Sequence, residues 1–506
     1  MSPIMLHLLL IISLFIPSHT LTNHQPTSES FISILISQNG LNFVKDLLIT
    51  KEISSLTPLQ LPKIEKSARI PFVGNVDIVL SNITIYQINV TSSIVKTGET
   101  GVAIIASGTT CNLSMNWHYS YRTWLLVPIE ISDSGHASVE VEGMDVGLTL
   151  GLENQRGSLK LSILECGCYV KDVSIMLDGG VSWLYQGVVD AFEGQIGFAV
   201  ENAITQKLKE GVPKLDSFLQ SLPKGISVDD IASLNVTFVN DPSLSNFSIG
   251  FEVNGLFTEK GKDAVLNSNQ QSFQALVSCT NSSKMLGISL DDTVFNSASA
   301  LYFNAEFMRW IVDKVPDQSL LNTAGWRFIV PQLYKKYPND DMNLNITLSS
   351  PPVIRMSPHT IDATVYADLI IDVLEAGDVI PVACISLVIS ASGSVNILRN
   401  NLAGSMKLDE FTMSLKWSKI GNLRMYLIQP VMWTVIETVI LPYANSHLGK
   451  GFPLPIIHGF TLQNAEIICS NARITVCSDV AFAEDFIQPL IYPTTKRCAS
   501  DLLYRL

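Results

Sequence analysis

The longest periodicity in the chain runs from Trp183 to Leu208. Its large apolar residues, Trp183, Val188, Val189, Phe192, Ile196, Val200, Ile204 and Leu208, share one face at helical spacing. Gln186, Asp190, Glu193, Gln195, Glu201, Gln206 and Lys207 take the other face. At ~1.5 Å per residue such a helix runs roughly 40 Å, and Gly211-Val212-Pro213 is its expected end. Before it the period is two. Val76, Ile78 and Leu80 alternate with polar residues, and Tyr86, Ile88 and Val90 resume after a slip that predicts a bulge. Val102 to His118, Ser138 to Leu152, Leu159 to Ile163 and Val173 to Leu177 continue the alternation, separated by the turns GLENQRG and LDGG. Strands that follow one another this closely predict antiparallel pairing, with the long helix lying along the concave side of the sheet. Near the start, Ser37 caps a predicted helix to Leu48 whose stripe is Leu41, Val44 and Leu48.

The pattern then repeats in outline. Strands are expected at Phe247 to Phe257 and Phe273 to Val277. A helix is expected over LYFNAEFMRWIV, from Leu301 to Val312, and another over Thr323 to Tyr337, kinked at Pro331. Strands return from Met342 to Leu374 and Ile380 to Trp417, a long amphipathic helix covers Val431 to Leu448, and a last strand pair spans Phe460 to Val480. Helix and sheet thus occur twice, which predicts α+β halves of similar plan.

Composition sharpens this picture. Of 506 residues 47% are hydrophobic and only 16% charged, an apolar excess that needs a place to go, and the net charge of -13 argues against nucleic acid as a partner. The run IMLHLLLIISLFI, Ile4 to Ile16, is too short for a membrane span and reads as a secretory signal peptide over residues 1–20. Seven Asn-X-Ser/Thr sequons, Asn82, Asn89, Asn112, Asn235, Asn246, Asn281 and Asn345, fit a secreted, extracellular glycoprotein. In that compartment the eight cysteines are free to pair, Cys469 with Cys477 across a turn at Ala472 among the options.

Several stretches resemble the family of bactericidal/permeability-increasing protein and lipopolysaccharide-binding protein, whose fold cholesteryl ester and phospholipid transfer proteins share. They are ISQNGLNFVKDL at Ile36, SVEVEGMDVGLTLGL at Ser138, LGISLDDTVFNSASALYF at Leu286, PQLYKKYPNDDMNLNITLSSPPVIRMSP at Pro331, and GSMKLDEFTMSLKWSKIG with LPYANSHLGKGFPLP between Gly404 and Pro455. They keep the family's order and cover the chain from about Ser30 to Val480. CGCYVKDVSI, from Cys166, resembles the plant branch.

The resemblance implies an elongated molecule: a first barrel-like domain over 21–238, a linker at 239–246, a second over 247–483, and an unassigned tail at 484–506. Each domain would wrap a twisted antiparallel sheet around a long helix and hold a lipid-sized apolar pocket, with a central sheet between them. Leu41, Val44, Leu48, Trp183, Val189, Phe192 and Ile196 are then the candidates for the first pocket, and Phe328, Leu333, Val435 and Val439 for the second.

Two departures from the family matter. Its disulfide would join Cys168 to a cysteine at 201–211, where this chain has none, and Cys111, two strands away at ~9–10 Å, is beyond disulfide reach. Lipopolysaccharide-binding members also place lysines and arginines at the domain tip. Here that stretch is Trp117 to Pro128, with Arg122 and His118 beside four aromatics, Trp117, Tyr119, Tyr121 and Trp124, a set suited to the membrane-water interface.

No nucleophile elbow, zinc-protease helix or dinucleotide loop occurs, and no cysteine pair has metal-site spacing beside Cys166 and Cys168. The reading is therefore a non-enzymatic lipid-binding protein without cofactor or metal. Its expected partners are phospholipid or lipopolysaccharide and a membrane surface, with any protein receptor unknown. The alternatives are lipid transfer between membranes without lipopolysaccharide recognition, a lipid hydrolase, and an adhesion glycoprotein with a filled core.

Overall fold

A computed structural model describes residues 29–70, 74–124, 128–178, 182–261, 279, 283–315 and 318–483. The expected signal segment, the strand at Phe273 to Val277, Asn281 and the tail lie outside them.

The first half follows the alternation closely. Strands β2 (Gly74–Asn89), β3 (Gly101–Trp124), β4 (Pro128–Gln155) and β5 (Ser158–Tyr169) come after β1 (Ile32–Ser37) and helix α1 (Gln38–Leu56), and pair in sequence order as an antiparallel sheet. Strand β6 (Asp172–Asp178) adds along β4, and Ile64–Ile70 along β2. The predicted slip in β2 is a bulge at Ser81/Thr84, where Asn82 takes a positive φ of 51°. Ser37 caps α1 as expected, its Oγ accepting the Gly40 N–H.

Helix α2 (Ser182–Gln220) lies against this sheet and runs on past Gly211-Val212-Pro213, where the sequence predicted its end. Proline removes one backbone donor, but tertiary contacts hold the turns beyond it. Val212, Leu215 and Leu219 pack on Leu150 and Leu161, and the Asp216 carboxylate accepts the Leu161 N–H at 2.7 Å.

The second half opens with β7 (Ser248–Val253), β8 (Leu286–Asp291) and α3 (Asp292–Asn304). Only the start of LYFNAEFMRWIV is helical. Glu306 adopts a positive φ of 56°, which breaks the helix, and Arg309–Val312 is a strand. The helix expected over Thr323 to Tyr337 is also corrected. Trp326 is fully buried there, its indole N–H bonded to the Leu320 carbonyl at 2.9 Å, and Thr323 pairs with the Asp340 backbone. Those ties favour successive turns, and Pro331 opens a six-residue helix to Lys336 instead of kinking a longer one. Strands β9 (Asp341–Leu348), β10 (Ile361–Glu375), β11 (Asp378–Leu398) and β12 (Asn401–Ser418) form the second antiparallel sheet, with Arg309–Val312 beside β9. Helix α4 (Met425–Leu448) covers its apolar face. It is α-helical to Val435, wider-wound over Ile436–Ile440 and α-helical again from Leu441.

A third antiparallel sheet joins the halves. Its order is Ser243–Ser245, β7, β1, β8, β14 (Arg473–Phe482) and β13 (Phe460–Ser470). Across the β13–β14 turn, where Ala472 has a φ of 59°, Cys469 stands opposite Ile474 and Cys477 opposite Glu466. The two cysteines are therefore out of register and do not pair. Cys477 bonds Cys279, with 5.9 Å between the Cα atoms, and Cys469 is a free thiol. Nearby, Lys284 is buried with its ammonium 2.6 Å from the Asn464 carbonyl and 3.4 Å from Asp479, and Ser37 Oγ donates to the Lys284 carbonyl at 2.6 Å.

Candidate functional site

Each half has an apolar seam where its long helix meets its sheet. In the first, Phe192, Ile196, Val200 and Ile204 of α2 are buried against Val76, Ile78 and Ile85 of β2, Leu113 and Met115 of β3, and Met144 of β4. In the second, Ile428, Val431, Met432, Val435 and Ile436 of α4 meet Leu344 and Ile346 of β9, Leu369 and Ile371 of β10, and Ile385 of β11. Fully burying one such side chain contributes about 1.5–3 kcal/mol.

The first-seam candidates divide. Phe192 and Ile196 lie in the seam. Leu41 is buried elsewhere, with Val95, Val102 and Ile249. Val44 is 36% exposed and Leu48 and Val189 are half-buried. The Trp183 side chain lies outside the described residues. Val44 falls at the edge of the inward face of α1, which runs through Leu41 and the buried Lys45, whose ammonium reaches Ser93. In the second seam Leu333 and Val435 are fully buried and Val439 packs beside them. Phe328 does not join them. It is 77% exposed, in the turns that replace the predicted helix, with the Arg327 guanidinium 4.6 Å from its ring.

The aromatic tip is also corrected. Trp117, Tyr119 and Tyr121 point inward from β3 as a stacked ladder, with ring centres 5.8 and 6.4 Å apart. Trp117 and Tyr119 are buried in the first seam's core, and the Trp117 N–H donates to the His136 carbonyl at 3.0 Å. Gly135 makes room for the indole: a Cβ there would lie 2.6 Å from the ring. Trp117 and Tyr119 are therefore not presented to a headgroup layer in this fold, and Tyr121 is half-buried. His118 and Arg122 are exposed on the opposite face, Arg122 in register with Glu130. The Trp124 side chain lies outside the described residues. Sequence reading missed Lys66 on Ile64–Ile70, whose ammonium sits 6.0 Å from the Phe192 ring centre. The short segment IEKSARI carries too weak an alternation to have shown it.

The thiols of this half are held protonated. Burial pushes Cys111 and Cys168 up to about 12, with Glu201 adding to the effect at Cys168. Thiols so placed are poor nucleophiles and metal ligands at neutral pH. Cys166 instead meets the helix, its Sγ 3.9 Å from the Thr205 carbonyl, while Glu201 accepts the Val170 N–H at 2.7 Å. Of the sequons, Asn82, Asn89 and Asn246 are exposed, whereas Asn112, Asn235 and Asn345 are half-buried.

Residues 40–222 match the N-terminal domain of the LBP/BPI/CETP family, and residues 226–482 match its C-terminal domain. The chain belongs to the LBP/BPI/CETP family. It is 63% identical over 484 residues to a BPI/LBP family protein of Arabidopsis thaliana, covering 96% of this chain and 98% of that one. It is 24% identical to the bactericidal permeability-increasing protein of Sebastes schlegelii, covering 89% of this chain and 95% of that one. The human lipopolysaccharide-binding protein is also 24% identical, covering 83% of this chain and 87% of its own length. The crystal structure of lipopolysaccharide binding protein aligns with a TM-score of 0.63 at 19% identity, over 90% of this chain and 99% of that one. This member of the LBP/BPI/CETP family therefore has the family's two-domain, α+β, lipid-binding fold.

Proposed function

We propose that this family member is an extracellular, non-enzymatic lipid-binding protein that lodges acyl chains between each long helix and its sheet. The observation that carries the reading is the paired seam: each half lays a long apolar helical stripe over the apolar face of an antiparallel sheet. The division of the chain near 239–246, glycosylation at the exposed sequons and recognition of bacterial lipopolysaccharide belong to the same reading. Lipopolysaccharide is named for the animal relatives and comes to this chain as a proposal. Protein purified without detergent from a secreting host is expected to release phospholipid-like molecules into organic solvent, identified by mass spectrometry. A protein that yields none and takes none from vesicles would refute the reading. Turnover of lipid esters by the pure protein would point to a hydrolase.

Lipid transfer without lipopolysaccharide recognition is favoured by the hairpin of β3 and β4, where Glu130 stands across from Arg122 and Asp133 from Tyr119. With a Debye length of ~8 Å at physiological salt, an arginine facing a carboxylate attracts phosphate weakly at long range. Binding to neutral and anionic liposomes should therefore change little up to 0.5 M salt. Binding that vanishes in salt and depends on Arg122 would restore cationic capture.

A further inference from the structure

Several pieces of chain meet at the far end of the second half. The register sets Asp341 at the start of β9 beside Leu374, near the end of β10, and Leu374 beside Val379, near the start of β11. The turns that follow Asn322 reach the same place, because Asn322 bridges to Asp341. Helix α4 begins there too. Its last residue, Leu448, lies 3.9 Å from where a Cβ on Gly404 would stand, near the start of β12, and β12 runs back to Ser418, beside Ala383 of β11. Three large apolar side chains project from this end: Phe328 is 77% exposed, Tyr426 66% and Val379 58%. Single exposed apolar residues are ordinary, but a set gathered at one place marks an interaction site.

The charges around the rings indicate what they meet. Arg327, Lys335, Lys336 and Arg424 are exposed here, and none is ion-paired among the described residues. The Arg327 guanidinium stays on the Phe328 ring. Asp341, Glu375 and Asp378 are exposed at the same end, so its net charge is small and its cations act at contact range. The core of a protein interface is depleted of lysine. A bilayer surface accepts it, because lysine and arginine lay their stems along apolar surface and put their heads on phosphate, at the depth where aromatic rings settle. The hairpin of β3 and β4 is the competing end. It exposes Ile129 and Ile131, but Glu130 stands between them and repels phosphate. We infer that the far end of the second half, and not that hairpin, enters the headgroup layer of a phospholipid bilayer, with Phe328 and Tyr426 as its anchors. The inference rests on the lipid-binding reading only in that a lipid carrier meets a bilayer, and it assigns a surface which that reading leaves open.

The test sets one end against the other. Binding to phosphatidylcholine vesicles is measured by co-sedimentation for wild type, for Phe328→Ser with Tyr426→Ser, and for Ile129→Ser with Ile131→Ser. Loss of the two rings should weaken binding roughly 10- to 100-fold, and the hairpin variant should stay within about 2-fold of wild type. Both variants should melt close to wild type, because the substituted side chains are exposed. Phe328→Trp, which keeps a ring suited to the interface, should retain binding. Equal loss in the two double variants, or loss in the hairpin variant alone, would overturn the inference. So would wild type that ignores vesicles and self-associates through Phe328, which would assign this end to a second copy. Lipid extraction keeps the two claims apart. Wild type that binds vesicles but yields no lipid sinks the lipid-holding reading alone, and wild type that yields lipid but binds no vesicle sinks this inference alone.

Discussion

The two helices bury different stretches of their length. On α2 the buried residues Phe192, Ile196, Val200 and Ile204 fall at every fourth position, so the stripe winds about 40° per step around the axis. A winding stripe follows a twisted sheet, and Leu215 and Leu219 carry the docking beyond Pro213. On α4 the buried residues Ile428, Val431, Met432, Val435 and Ile436 form a straight stripe. The wider turn at Ile436–Ile440 then shifts the phase, and the last eight residues, none of them buried, dock by polar contact instead: the Asn445 side chain accepts the Met406 N–H of β12 and donates to the Met406 carbonyl. Only 28% of the apolar window of α4 is buried, although by length and composition it would cross a membrane. Apolar burial therefore holds the first helix from Phe192 to beyond Pro213, and holds the second only as far as the wider turn, past which polar and aromatic contacts take over.

Charge insertion tests this contrast most strongly. Ile196→Asp and Ile204→Asp on α2, and Val435→Asp on α4, each bury an unpaired carboxylate and should cost several kcal/mol in urea unfolding. Leu448→Asp, past the wider turn, should stay within about 0.5 kcal/mol of wild type. Equal loss at Leu448 and Val435 would show that apolar burial of α4 continues to its end. Next in size is Trp117→Ala. As a buried ring it should cost about 3–5 kcal/mol, seen as a lowered unfolding midpoint. A variant as stable as wild type but unable to bind liposomes would return Trp117 to the membrane surface. The smallest effect concerns the helix ends. Asp216→Ala should cost about 1–3 kcal/mol by freeing the Leu161 N–H and should speed amide exchange after Pro213. Ser446→Ala at the end of α4 should leave both unchanged.

Much of this was legible because long periodic runs average out local noise. The strands of the first sheet, the bulge in β2 and the stripe of α2 were all written as period two or period 3.6. The inward turn of the tip aromatics was legible too: Trp117 and Tyr119 continue the phase of Cys111, Leu113 and Met115, while His118 and Arg122 take the other. In a strand the phase, not the residue type, decides which side a ring faces. The end of α2 was hidden because Asp216 and Leu219 act through β4 and β5, which no local window contains. The strand at Trp310 was hidden because an apolar run of twelve residues fits helix and strand alike. The partner of Cys477 was hidden because Cys279 lies 198 residues away.

Strand β1 has a consequence for how the chain is made. Ile32 pairs with Val253 on one side and Leu290 on the other, so the strand sits inside the central sheet between partners made far later. At ~5–20 residues per second, roughly 10–50 s of synthesis separate it from β8. Through that interval an apolar strand waits with both edges unpaired, the condition under which strands find foreign partners. A strand whose both partners come late is thus among the first of the described residues to be synthesised, and it is placed only after α2 and most of the first half already exist.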